Sequence, residues 1–121
     1  MNTAADVLVA LVALLHAWFL VLEMFLWTKP LGLKTFRNSH EHAQASATLA
    51  ANQGLYNGFL SAGLIWGLLA SPPAHALELK SFFLGCVVVA GTFGAITVSK
   101  RIFGVQALPA ILALSLLWMN R

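Results

Sequence analysis

The sequence predicts an all-α, polytopic membrane protein, a bundle of four transmembrane helices, and two observations support this prediction. Of its 121 residues, 60% are hydrophobic and only 9% are charged, whereas soluble domains carry roughly 25% charged residues. The hydrophobic residues fall into four runs, each close to the ~20 residues with which an α-helix crosses a bilayer. Because a backbone in lipid must satisfy its own hydrogen bonds, the runs are expected to be helices of one membrane domain, residues 1–121.

The predicted helices end where basic residues or prolines interrupt the apolar runs. The first covers about 5–27 and is followed by TKP, and the second covers about 49–69 and ends at SPPAHA. The third covers about 82–98 and is followed by SKR, so that only a tight turn joins it to the fourth, about 102–119. Since proline cannot continue a helix and charge is costly in lipid, these boundaries follow from the residues themselves.

The longest polar stretch, about residues 28–46, lies between the first two helices and is expected to be a cytoplasmic loop. It contains Asn38 followed three residues later by Glu41, a spacing typical of a helix N-terminal cap. The second helix is therefore predicted to begin as early as Ser39, before its apolar part.

Basic residues beside the helix ends predict the orientation. The first and third loops contain five of them: Lys29, Lys34, Arg37, Lys100 and Arg101. The opposite side contains two: Lys80 and Arg121. Because Lys and Arg accumulate in cytoplasmic loops, the first and third loops are predicted to be cytoplasmic and both termini to lie outside the cytoplasm.

Polar side chains inside the apolar runs form the candidate site, because such groups at membrane depth usually mark a functional site or an internal pairing. Glu23 and His16 are seven residues apart and share one face of the first helix. Counting from the helix ends puts Glu23 level with Gln106 and with the first amides of helix two, and puts His16 level with Asn57. The candidate ligand or ion-site residues are Glu23, His16, Asn52, Gln53, Tyr56, Asn57 and Gln106.

Both ionisable candidates have a functional and a structural interpretation. Glu23 exchanges protons or binds a cation, or it pairs with amides and basic residues at its own level. His16 relays protons or ligates haem, or it is a neutral imidazole bonded to Asn57 or Thr92. No cofactor is expected, because the other histidines lie in loops and cannot supply a second axial ligand at that depth.

The sequence lacks the motifs of the commoner catalytic and metal sites. HEHAQ, residues 40–44, resembles a metalloprotease helix but has Gln44 where that motif needs its second histidine. No nucleophile elbow, phosphate-binding loop, CxxC or paired carboxylates are present. We therefore predict no catalytic residue and no metal site, and do not expect an enzyme. The basic residues form no patch with interleaved aromatics, so nucleic acid is not an expected partner.

Glycines four residues apart on the second helix predict close contacts between helices. Gly54 and Gly58 form one G-x-x-x-G face, and Gly63 and Gly67 form a second, rotated face. The spacing fits packing within one bundle or between protomers. The expected partners are the lipid bilayer and a second copy of the chain, held through either face.

Four stretches resemble the signature segments of the small bacterial integral membrane proteins grouped as domain of unknown function 1304. They are FLVLEMFLWTKPLGLKTF, LAANQGLYNGFLSAGLIWGL, FFLGCVVVAG and VQALPAILAL. The resemblance extends over about residues 5–117 and implies a four-helix, multi-pass protein of the bacterial inner membrane. It implies no established activity.

Two functions of different classes follow from these observations. The first is a proton- or cation-linked small-molecule transporter or channel-like protein, with Glu23 in an intramembrane polar layer. The alternative is a non-catalytic accessory or structural subunit of a membrane complex, in which the polar residues only hold helices together. A third hypothesis, a redox or lipid-modifying role for His16, would require a bound haem or quinone.

Overall fold

The computed structural model describes residues 3–120. This part of the chain forms five α-helices: α1 Thr3–Met24, α2 Pro30–Phe36, α3 His40–Leu69, α4 Pro73–Thr97 and α5 Leu108–Met119. A π-helical turn, Phe103–Ala107, leads directly into α5. No β-strand occurs among the described residues, so the predicted all-α class is confirmed for them. Arg121, which was counted for the orientation, lies outside them.

Two helices begin well before their apolar runs. α3 begins at His40, after Ser39, whose Oγ accepts a hydrogen bond from the backbone N–H of His42 at 3.1 Å. The capping residue is therefore one position later than the Asn38 predicted from the spacing. α4 begins at Pro73, where proline is compatible with a helix because an N–H in the first turn has no intrahelical partner.

The four long helices, α1, α3, α4 and the π-turn with α5, form a bundle in which consecutive members are antiparallel. Gly67 of α3 faces Lys80 near the start of α4. Trp118 near the end of α5 donates a hydrogen bond to Ser81 of α4 at 2.9 Å. The largest buried apolar side chains are Leu22, Leu64, Leu84, Val9, Val12 and Val87. The core is thus narrow and built of aliphatic residues.

Both glycine faces of α3 are covered within the chain. Gly54 and Gly58 face α1, where a Cβ at Gly54 would lie 2.7 Å from Met24 Cγ. Gly63 faces the Phe83 ring of α4, and Gly67 faces Lys80 of the same helix. Small residues let helices approach this closely. The two faces considered for a homo-oligomer are therefore occupied by α1 and α4.

The predicted loop of residues 28–46 is a packed structure at one end of the bundle. Gly32 of α2 is buried against the carbonyl of Leu26, which a Cβ at this position would overlap. The rings of Trp27 and Phe36 lie 4.8 Å apart. Trp27 Nε1 also donates a hydrogen bond to Ser46 Oγ of α3 at 3.1 Å. α2 is thereby held against the end of α1 and the first turns of α3.

The π-turn before α5 is explained by Pro109. Proline has no N–H, and its ring displaces the carbonyl four residues earlier. The preceding N–H, that of Leu108, bonds to the Phe103 carbonyl, a wider spacing than that of an α-helix. The turn lies against Gly91 of α4, where a Cβ would be 2.7 Å from the backbone nitrogen of Ala107.

Two helices, α1 and α4, are long and apolar enough to cross a membrane. Their most apolar 18-residue windows are only 28% and 17% buried, respectively. Large apolar side chains point outward along both helices, among them Leu14, Phe82 and Val89. Large exposed apolar surfaces of this kind mark contact with a membrane or a partner. The helices therefore indicate membrane association.

Candidate functional site

Glu23 lies in the last turn of α1, beside α3. Its Oε1 accepts a hydrogen bond from Nδ2 of Asn57 at 2.5 Å. The close approach depends on glycine, because a Cβ at Gly54 would lie 3.1 Å from Glu23 Cβ. Neither ion pair of the described residues involves Glu23. This half-buried carboxyl group is therefore paired with a neutral amide and not with a cation.

His16 is fully buried and connects α1 to the π-turn. Its Nδ1 donates a hydrogen bond to the carbonyl of Val12 at 2.9 Å, since a carbonyl can only accept. Its Nε2 lies 3.0 Å from Gln106 Nε2 and must then accept from the amide N–H. With this amide orientation, His16 is a neutral imidazole with both ring nitrogens engaged. A haem iron or another ligand could reach Nε2 only by displacing Gln106.

The structure pairs these residues differently from the depths counted along the sequence. The counting placed Gln106 level with Glu23 and Asn57 level with His16, whereas Glu23 bonds Asn57 and His16 bonds Gln106. α1 ends at Met24, and close packing against glycine sets its register on α3. Counting from helix ends assumed one common boundary plane and therefore missed this shift.

Three other candidates lie on the outer face of α3 and not in the packed interior. Asn52, Gln53 and Tyr56 are all exposed. Asn52 Nδ2 lies 3.4 Å from the Tyr56 hydroxyl, one helical turn away. These residues form a polar strip on the surface beside the Glu23–Asn57 pair, and they do not converge on Glu23.

Sequence reasoning missed two further polar contacts of α1. Ser61 of α3 donates a hydrogen bond to the Ala13 carbonyl at 2.8 Å. Lys80 of α4 lies 2.8 Å from Asp6, with both side chains largely buried. The sequence did contain a signal for this ion pair, because Asp6 and Lys80 carry opposite charges and were predicted to lie at the same end of the bundle. Ser61 is seven residues after Gly54, which places both on the face that packs against α1.

The polar contacts of α1 reach each of the other long helices. It bonds to α3 through Asn57 and Ser61, to α4 through Lys80 and to the π-turn through Gln106. Every buried side-chain nitrogen or oxygen of the described residues has a hydrogen-bond partner. The interior polar groups therefore hold α1 to the other long helices.

Two surface cavities lie away from the Glu23–Asn57 pair. An apolar groove of about 410 Å³ runs between α1 and α5, with Leu8, Val12 and Pro109 among its lining residues. A cleft of about 480 Å³ lies beside the Asp6–Lys80 ion pair and also contacts Asn120. Neither cavity is lined by Glu23 or His16, so neither connects the two ionisable candidates.

The histidines at the start of α3 are not assembled into a metal site. His40 and His42 are exposed. Across residues 3–120, no three His, Cys, Asp or Glu side chains are grouped to hold a metal ion.

Comparison with known proteins identifies similar sequences of unassigned activity. The sequence model of a family described as protein of unknown function (DUF1304) matches residues 10–118. The chain is 33% identical over 116 residues to the uncharacterized protein YpaA of Lactococcus lactis subsp. lactis (strain IL1403), which covers 94% of this chain and 96% of that protein. No solved structure matches the chain.

Proposed function

The chain belongs to the DUF1304 family of proteins of unknown function, and we propose that it is a multi-pass inner-membrane protein that links proton or cation binding to small-molecule transport. The observation that supports this proposal is the pairing of Glu23 with Asn57. A carboxylate between helices is costly without a countercharge. Binding of a proton or a monovalent cation supplies the charge that Asn57 cannot.

The exposure of the helices supports the membrane part of this proposal. α1 is about 33 Å long, at 1.5 Å per residue, which matches a hydrocarbon layer of ~30 Å. The core helix of a soluble protein would be mostly buried, whereas α1 and α4 expose most of their apolar windows. Because α3 and α5 pack antiparallel to them, we propose that all four long helices cross the bilayer, with the α2 end in the cytoplasm.

The contrast between Glu23 and Asp6 supports the choice of site. Both are acidic residues of α1, near opposite ends of the helix. Asp6 is neutralised by Lys80 at 2.8 Å, so its charge is already balanced. Glu23 has an amide partner that donates one hydrogen bond. We therefore assign the exchangeable proton or cation to Glu23 and a structural role to Asp6.

A single narrow bundle is too small to enclose a transport pathway, so we propose that more than one copy forms it. Polar residues on the surface of α3 would line this pathway. Gln53, Asn52 and Tyr56 lie exposed next to the Glu23–Asn57 pair. Exposed amide side chains at the edge of the membrane are stabilised by hydrogen bonds to a polar partner. A second copy placed against this strip would enclose a polar path beside Glu23 without using the covered glycine faces.

Cation-induced proton release tests the site directly. The purified protein in weakly buffered detergent solution is titrated with NaCl, KCl or a tetraphenylphosphonium salt, while a pH-sensitive dye reports released protons. We expect saturable release from the wild type and none from Glu23→Gln, because the variant lacks the carboxyl group to which the exchangeable proton is assigned. The matched control is Glu41→Gln, which changes an exposed glutamate in the first turn of α3 and should leave the release unchanged.

Transport is then measured with the same variants in proteoliposomes carrying a pH gradient, using tetraphenylphosphonium as the probe. Gradient-driven uptake should be lost in Glu23→Gln and retained in Glu41→Gln. Equal proton release from the wild type and Glu23→Gln would exclude Glu23 as the exchange site.

The alternative function is a non-catalytic subunit whose polar groups only hold helices together. One observation favours it: four of the polar contacts between helices involve α1 and link it to α3, α4 and the π-turn. In that case Glu23→Gln should lower the thermal unfolding temperature in detergent while no cation releases protons from the wild type. The transporter proposal requires the opposite combination, a folded variant that has lost proton release.

A further inference from the structure

We propose that the α2 end of the bundle is a binding surface for the headgroups of anionic phospholipids. The surface is formed by Lys29, Lys34 and Arg37 around α2 and by Lys100 and Arg101 in the turn after α4. This inference rests on the proposed membrane insertion but not on any role of Glu23.

The direction of the helices brings the two basic segments to the same end of the bundle. α3 is antiparallel to both α1 and α4, so α1 and α4 run in parallel. Gly54 of α3 lies at the end of α1, and Gly67 lies at the start of α4. The residues that follow α1 and the residues that follow α4 therefore emerge together. A membrane surface at this end would meet both segments.

Charge at this end is unbalanced. All five basic residues are exposed, and neither ion pair of the described residues includes any of them. The one exposed carboxylate in the first turns at this end is Glu41. A cluster of Lys and Arg next to membrane helices attracts anionic lipid headgroups, at about 1 kcal/mol per residue.

The packing of α2 favours lipid over a free anion. Burial of Gly32 against Leu26 and the contact between Trp27 and Phe36 fix the inner side of α2. Leu31 is 47% exposed and lies three residues before the exposed Lys34, so both occupy the outer face. Phe25, just after α1, is also exposed. An apolar side chain beside an ammonium group fits the boundary between acyl chains and phosphates.

Native mass spectrometry of the full chain in non-ionic detergent tests this proposal. The probes are phosphatidylglycerol and phosphatidylcholine with identical acyl chains. We expect the wild type to prefer phosphatidylglycerol and the double variant Lys34→Gln/Arg37→Gln to lose this preference by more than tenfold, since each cation contributes about fivefold. Glu41→Gln, which removes a negative charge at the same end, should retain or increase the preference.

Two further measurements complete the test. The first distinguishes a lipid headgroup from free phosphate as the ligand, and the second uses only the wild type, so that it remains valid if the double variant fails to fold. Inorganic phosphate at equal concentration should not displace phosphatidylglycerol; displacement would show an anion site and overturn the lipid proposal. For the wild type, added salt should weaken the preference, and a salt-independent or equal affinity for the two lipids would also overturn it. Glu23→Gln should keep its lipid preference, and Lys34→Gln/Arg37→Gln should keep proton release, so that failure of one proposal leaves the other measurable.

Discussion

Gly91 and Gly85 both lie away from the ends of α4, but their surroundings differ. A Cβ at Gly91 would lie 2.7 Å from the backbone nitrogen and 2.8 Å from the Cβ of Ala107, whereas a Cβ at Gly85 would meet no atom within 4 Å. The first glycine is required by the approach of the π-turn. The second carries only the conformational cost of glycine in a helix.

We expect Gly91→Ala to lower the free energy of unfolding by about 1 to 3 kcal/mol, because the π-turn would have to move away from α4. Gly85→Ala should instead be neutral or stabilising by up to about 1 kcal/mol. Thermal unfolding in detergent, followed by circular dichroism, measures both. Equal effects of the two substitutions would contradict the close packing of the π-turn on α4.

At the residue scale, the sequence singled out polar side chains inside the apolar runs but did not show which residues they contact. Glu23 and His16 stand out by type alone, since ionisable groups are rare inside apolar runs. Their partners depend on helix register, which glycine packing and the π-turn determine. Residue spacing does not show that Gly54 packs against Glu23. It also does not show that Gln106 lies opposite His16.

At the scale of elements, the beginning of α3 depends on one hydroxyl group. Ser39 Oγ accepts from the His42 N–H, which would otherwise have no partner in the first turn. Ser46, in the first turns of α3, also accepts a hydrogen bond from Trp27. Fraying of this segment would therefore loosen the support of α2.

We expect Ser39→Ala to destabilise the start of α3 by about 0.5 to 2 kcal/mol, the usual effect of losing an N-terminal cap. Hydrogen–deuterium exchange should become faster in residues 40–46 and remain unchanged in the later turns of α3. Asn38→Ala is the matched control, because Asn38 is the neighbouring cap candidate and does not cap the helix in the structure. Faster exchange in Asn38→Ala than in Ser39→Ala would assign the cap to Asn38.

The apolar runs located the bundle helices but not the structure at their ends. α3 and α4 extend into polar sequence because a serine cap and a proline at the first helical position start them. α2 is too short to show a helical period. The π-turn depends on how Pro109 is accommodated against α4, which is a tertiary effect. Local sequence patterns therefore predicted the class of the elements better than their limits.

For the whole molecule, basic residues concentrate at one end and the Asp6–Lys80 ion pair lies towards the other. The distribution of Lys and Arg predicted which end faces the cytoplasm. The structure shows in addition that Asp6 neutralises Lys80. The difference in positive charge between the two ends is therefore larger than the count of Lys and Arg indicates.

Cysteine labelling tests the orientation in a Cys86→Ala background, because Cys86 is the one native cysteine. Ser71 and Ser99 are both exposed and lie in opposite inter-helix segments. In intact cells or spheroplasts, a membrane-impermeant maleimide should label Ser71→Cys at once and Ser99→Cys only after permeabilisation. The reverse pattern would invert the proposed orientation, and immediate labelling of both would contradict a bilayer crossing between them.

The polar contacts that α1 makes with the other long helices have a consequence for biosynthesis. α1 is translated before all its partners, yet Glu23 bonds a residue 34 positions later, Asp6 one 74 positions later and His16 one 90 positions later. At translation rates of roughly 5 to 20 residues per second, the His16 ring lacks its Gln106 partner for several seconds after synthesis. A nascent or truncated chain without the π-turn exposes an unpaired imidazole nitrogen in α1, and arrival of the final helix completes the polar interior.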